Sequence, residues 1–147
     1  MSKTTANRIP CLITLMAALC CNAAKAESYG PIRVIEQGFL IYMKDGPYAA
    51  ISAWVKGGPF EGSKMPNPLQ QIEEMLGKPE SLEILREQEI SKRDRLAFVV
   101  INYQKGAAFA RFQLYQLANG AWVVADMKSN TDPLLVFPQA VMFPRQP

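Results

Sequence analysis

The chain has 147 residues, 49% of them hydrophobic, with three cysteines and no histidine. That length suits one domain with one core, and the apolar content excludes a disordered tail. The formal charge is +3, but Lys3, Arg8 and Lys25 all precede Glu27, and the remainder balances 13 Lys+Arg against 13 Asp+Glu; no nucleic-acid or anionic-membrane partner follows from the basic excess.

Residues 1–26 read as a secretory signal peptide. Lys3 and Arg8 form a positive region, Cys11 to Cys21 an uncharged apolar core, and Ala24-Lys25-Ala26 a site with small residues at the −3 and −1 positions. The apolar core is too short for a spanning helix, which needs about 20 residues, so no stable membrane insertion is expected. A lipoprotein reading is weaker, because Cys20 follows Leu19 and Cys21 follows Cys20 rather than a small residue. The expectation is cleavage after Ala26 and a secreted chain, periplasmic in a Gram-negative source. All three cysteines fall in this leader, which excludes disulfide and thiolate chemistry in the remainder. The lack of histidine excludes Ser-His-Asp and Cys-His catalysis and His-ligated zinc or haem.

Helix signals come first. Gly30-Pro31 offers a start, and Ile32, Ile35, Phe39 and Tyr42 or Met43 recur at helical spacing, with Gly38 inside the stretch. Asp45-Gly46-Pro47 breaks the pattern and caps a second helix, whose stripe is Tyr48, Ile51 and Val55. Gly57-Gly58-Pro59 stops it and opens a Gly/Pro-rich loop over 57–66. Asn67-Pro68 starts a third helix, with Leu69, Ile72, Met75 and Leu76 on one face and Gly77 at its end.

Strand signals follow. Ser81–Ser91 alternates Leu82, Ile84 and Ile90 against Glu83, Glu87 and Glu89, the charge of a protected edge strand. Lys92-Arg93-Asp94 turns the chain into Leu96–Gln104, an apolar central strand. Lys105-Gly106 turns it again into Ala107–Leu117. Asn119-Gly120 predicts a two-residue type I′ turn into Ala121–Met127. That turn sets a register of Leu117 opposite Trp122, Tyr115 opposite Val124, and Gln113 opposite Asp126. Phe109 and Arg111 share that side. Ala110, Phe112, Leu114, Val123, Ala125 and Met127 share the other. Both faces are too apolar for water, so one takes the helices, and the other needs a second chain or the apolar tail Leu134–Phe143. The organisation expected is a leader over 1–26, one α+β domain over 27–132 and a Pro-rich tail over 133–147 that packs on the domain or on a partner.

Paired N-terminal helices carrying Tyr42 and Trp54, the Leu76-Gly77-Lys78-Pro79-Glu80 exit from the third helix, and the run Phe112–Val124 (FQLYQLANGAWVV) together resemble the nuclear transport factor 2-like superfamily. The likeness spans roughly Pro31 to Phe137 and is closest to small exported bacterial members without assigned function. It implies helices packed on a curved four-stranded antiparallel sheet, cone-shaped, that often opens into a pocket and often dimerises through the open sheet face. The sequence lacks the short strand that many members place between helices two and three. The ketosteroid isomerase motif of that superfamily is not matched, so no catalytic residue carries over.

A candidate pocket gathers Arg111, Gln113 and Asp126 as a polar floor, with Tyr42, Trp54 and Tyr103 nearby. Asp126 with a tyrosine could move a proton beside a carbonyl; an Arg–Asp pair at a sheet end or dimer interface explains the same residues. Glu73, Glu74, Glu80, Glu83, Glu87 and Glu89 are spread over helix and strand as a solvated face, unlike a calcium loop. No metal and no cofactor are expected. The function expected is an exported binding or interaction module for a small apolar ligand or an envelope protein, homodimeric. The alternative is a cofactor-free isomerase or dehydratase using Asp126 and a tyrosine.

Overall fold

The computed structural model describes residues 30–64 and 66–142; the expected leader over 1–26 and its expected cleavage site lie outside them. The order is α1 (Pro31–Asp45), α2 (Pro47–Val55), α3 (Pro68–Leu76), then β1 (Pro79–Ser91), β2 (Asp94–Tyr103), β3 (Gly106–Gln116) and β4 (Trp122–Asn130). The strands form one antiparallel sheet in the order β1-β2-β3-β4. The fold is α+β, with helices packed on one face of an open sheet. Among the described residues no helix is long and apolar enough to cross a membrane.

Each of the three helices starts on a proline at its first turn, where the missing N–H is not needed. Gly46 ends α1, its N–H returning to the Tyr42 carbonyl at 3.0 Å, and the same residue starts α2. Asn67 caps α3, its Oδ1 accepting the Leu69 N–H at 3.1 Å.

The helix side of the sheet carries Ala97, Val99, Ile101 and Tyr103 of β2 and Ala108, Ala110, Phe112 and Leu114 of β3, all buried against Ile35, Phe39, Tyr42, Ala50, Trp54, Leu69 and Ile72. Trp54 is the largest of the fully buried side chains. Its ring meets Phe112 edge-on at 5.1 Å, and its Nε1–H donates to the Ile35 carbonyl at 3.1 Å. A buried indole finds its partner here on the backbone of α1.

Two bulges change what the alternation predicts. On β1, Ile84 pairs with Val99 and Arg86 with Phe98, which leaves Leu85 extra. Leu82 and Ile84 pack on the core, but beyond the bulge Glu87 and Glu89 take over that side. There they pair with Arg95 at 3.8 and 3.0 Å, and the Arg95 guanidinium lies 5.6 Å from the Trp122 ring. Ile90, expected to line up with Leu82 and Ile84, is exposed.

On β4, Gln113 still pairs with Asp126, but Leu114 pairs with Val124, Tyr115 with Val123 and Gln116 with Trp122. The expected pairs Leu117–Trp122 and Tyr115–Val124 are therefore off by one. The connection is a three-residue loop, Ala118 to Gly120, between Leu117 and Ala121, whose N–H and C=O bond at 2.8 Å. Gly120 has φ +88° and Asn119 does not have positive φ. This is a turn closed by Gly120 N–H on the Leu117 carbonyl at 2.9 Å, followed by one left-handed glycine, and Ala125 is the compensating bulge. Trp122 and Val124 thus join Phe112's side.

The opposite sheet face carries Leu96, Phe98 and Phe109. Val136 and Phe137 pack on it. The Phe137 ring stands edge-on to Phe98 and Phe109, 5.6 Å from each. The segment is not extended: Pro133–Leu135 is a 3-10 turn capped by Asp132, and Gln139–Met142 is a short helix, α4.

Candidate ligand-binding cleft

The sheet divides the six residues grouped from the sequence. Tyr42, Trp54 and Tyr103 are buried on the helix side. Arg111, Gln113 and Asp126 stand on the opposite face, where Arg111 Nη2 donates to Asp126 Oδ2 at 3.0 Å and Gln113 Nε2 donates to both Asp94 oxygens at 3.2 and 3.0 Å. They do not line one pocket. Strand parity decides this: Tyr103 is an odd position on β2 that pairs toward Gly106, and Arg111 faces away from it across β3.

The helix-side trio contains a polar pair. The Tyr42 and Tyr103 hydroxyls are 3.3 Å apart, and Tyr42 OH also donates to the Leu69 carbonyl at 3.5 Å. Glu73 lies beside them. One of its oxygens binds the Lys78 ammonium and the other, Oε2, is buried without a hydrogen-bond partner among the described residues. Burial, then the Tyr103 hydroxyl and the Glu73 charge, push Tyr42 far above the ordinary tyrosine range. Burial pushes Tyr103 up to about 12; the Tyr42 hydrogen bond opposes this and the Glu73 charge adds to it. A phenol whose folded pKa is raised keeps its proton longer folded than unfolded. Its stabilisation is complete below pH 10 and is lost as pH rises from 10 through 12. We expect the unfolding free energy measured by urea titration to fall across that window, by on the order of 3 kcal/mol for Tyr103. In the Tyr103→Phe variant the same fall should be smaller; an equal fall would mean that the phenol is already hydrated.

An apolar concavity lies elsewhere, between α2, the 57–67 loop and β4. A cleft of about 250 Å³ is lined by Ile51, Trp54, Val55, Phe60, Pro66, Pro68, Val124 and Met127. Ile51, Trp54 and Val55 sit at i, i+3 and i+4, one face of a helix. Val124 and Met127 would point to opposite sides of an unbroken strand; the bulge at Ala125 puts both on the helix side. The loop reaches them because Gly58 lies against the β4 backbone, where a Cβ would stand 2.5 Å from the Val124 carbonyl oxygen. Glu61 Oε2 accepts the Gly57 N–H at 2.9 Å, and Ser63 Oγ donates to the Phe60 carbonyl at 2.6 Å, which fixes Phe60 at the rim.

A second cleft of about 330 Å³ shares Ile51, Val55 and Phe60 with the first and adds Tyr48, Ser52, Ser63, Lys64 and Asn67. The residues missed from the sequence are therefore Phe60, Pro66, Pro68 and the pair Val124 and Met127. One signal was available: Phe60 is a large apolar side chain inside a Gly/Pro-rich loop, where only a packing or binding role justifies it.

No family model matches the chain, and no curated protein or solved structure is significantly similar to it.

Proposed function

We propose that this chain is an exported binding module of nuclear transport factor 2-like architecture that holds a small apolar ligand between α2, the 57–67 loop and β4. The observation that carries the reading is the apolar cleft itself. Its lining is hydrophobic side chains and prolines, with Trp54 as one wall. Apolar concavities of this kind, edged by a few polar groups, are the usual form of small-molecule sites. The element order, helices first and then a four-stranded antiparallel meander, supports the architecture. Export rests on the charged, apolar and small-residue sequence of positions 1–26. An envelope protein as partner, or a second copy, would be served by Leu134 and Leu135, which stay exposed beside the apolar tail contact.

The isomerase or dehydratase alternative draws no support from the geometry, because Asp126 and the two buried tyrosines project from opposite faces of the sheet.

The cleft reading is tested with the neutral probe N-phenyl-1-naphthylamine. Its fluorescence should rise saturably at one probe per chain. Val55→Trp, which fills both clefts, should abolish the rise while the circular dichroism spectrum is retained. Undiminished binding by the filled variant would overturn the assignment.

A further inference from the structure

The two clefts differ in chemistry on either side of the same three side chains. The first is lined by carbon, apart from the Trp54 indole nitrogen and backbone. The second carries hydroxyls at Tyr48, Ser52 and Ser63, an amide at Asn67 and the ammonium of Lys64. Among the described residues no aspartate or glutamate lines either one. Lys64 is the one charged side chain among the described residues of both linings, and it is exposed. Asn67 commits its Oδ1 to capping α3, and its Nδ2 is buried with no hydrogen-bond partner among the described residues. An unpaired buried donor is costly, and an acceptor brought to it by a ligand would relieve that cost.

On this basis we infer that the site takes a single-chain amphiphile with an anionic headgroup. Its hydrocarbon chain lies in the apolar cleft against Trp54, Val124 and Met127, and its headgroup lies in the polar cleft near Lys64, Ser63 and Asn67. The inference rests on the ligand-binding reading above and adds polarity and direction to it. Charge selects the class: among the described residues the lining offers the Lys64 cation and the unpaired Asn67 Nδ2 but no anion, so a carboxylate or phosphate is favoured over a hydroxyl, and a quaternary ammonium is disfavoured. Volume limits the tail: about 250 Å³ admits one hydrocarbon chain. Phe60, which lines both clefts, marks the junction that the chain must pass.

The magnitudes are distinct enough to measure. Each methylene buried in the apolar cleft multiplies affinity about four-fold. An ion pair at an exposed ammonium adds a preference of about five-fold, which salt weakens. The experiment uses the mature chain carrying Trp122→Phe, which leaves Trp54 as its one tryptophan reporter. It is titrated at pH 8 with dodecanoate, dodecyl phosphate, dodecanol and dodecyltrimethylammonium, each below its micelle concentration. Dodecanoate and dodecyl phosphate should bind about five-fold tighter than dodecanol, and dodecyltrimethylammonium weaker than dodecanol. The order between the two anions distinguishes a fatty acid from a phosphate headgroup. Lys64→Glu should weaken both anions about ten-fold, leave dodecanol within two-fold and spare the fold; Lys64→Arg should retain the preference. Equal affinity for dodecanol and dodecanoate, unmoved by Lys64→Glu, would overturn the headgroup assignment and leave the apolar cleft standing. Failure of all four to perturb Trp54, together with no binding of N-phenyl-1-naphthylamine, would overturn both.

Discussion

Gly38→Ala should lower the stability of the domain by roughly 2–3 kcal/mol, a sign opposite to the one helix propensity gives. Gly38 is buried in the middle of α1, where alanine is ordinarily better by about 1 kcal/mol. The reason glycine stands there is Trp54. A Cβ at position 38 would lie 2.0 Å from Trp54 Nε1 and 2.2 Å from Cδ1. The indole cannot give way cheaply, because it also donates to the Ile35 carbonyl and packs on Phe112. Overpacking costs of this kind run to about 1–3 kcal/mol, and loss of a buried hydrogen bond adds to them. Urea unfolding followed by circular dichroism measures the change. In a Trp54→Phe background the same substitution should cost much less, since the two sites couple through contact. An unchanged or raised midpoint in the native background would mean that α1 and α2 can part without penalty.

Phe137→Ala should cost about 3 kcal/mol, the usual range for a buried phenylalanine. Phe137 is 4% exposed although it follows the last strand by seven residues, and it covers Phe98 and Phe109 together. Deleting the chain from Pro133 onward should therefore bare an aromatic patch in the middle of the sheet and lead to association. Light scattering and sedimentation on the shortened chain measure this. A shortened chain that stays monomeric and equally stable would mean that the tail contact is incidental and that this segment is free to engage another molecule.

The elements were legible because their punctuation is local. Pro31, Pro47 and Pro68 open helices, Gly46 and Gly77 close two of them, and Lys105-Gly106 marks the tight turn at Gln104-Lys105 between β2 and β3. What alternation could not supply was parity. Leu85 and Ala125 each add one residue to a strand, and one added residue moves every later side chain to the other face. The Asn119-Gly120 pair fits a two-residue loop and also a three-residue loop that uses only the glycine's positive φ; the second is what forms, with Asn119 Oδ1 taking the Ala121 N–H at 3.0 Å. The candidate site suffered from the same blindness. Arg111, Gln113 and Asp126 stand together on one face, Gln113 opposite Asp126, while Tyr42, Tyr103 and Trp54 belong to the other side of the sheet. The cleft needs the β4 bulge, which leaves no signal in residue type, and the close passage of Gly58, whose missing Cβ permits the approach but does not name the strand approached.

The most direct test of the cleft as a binding site is a methyl-resolved nuclear magnetic resonance titration with dodecanoate. Contacts from the ligand chain should fall on the methyl groups of Ile51, Val55, Val124 and Met127, which line the apolar cleft. Methyls of Val136 and Val141, on the far side of the sheet with the tail, should stay unmoved. Ligand contacts that fall on Val136 or Val141 and leave Ile51 and Val55 silent would contradict the account.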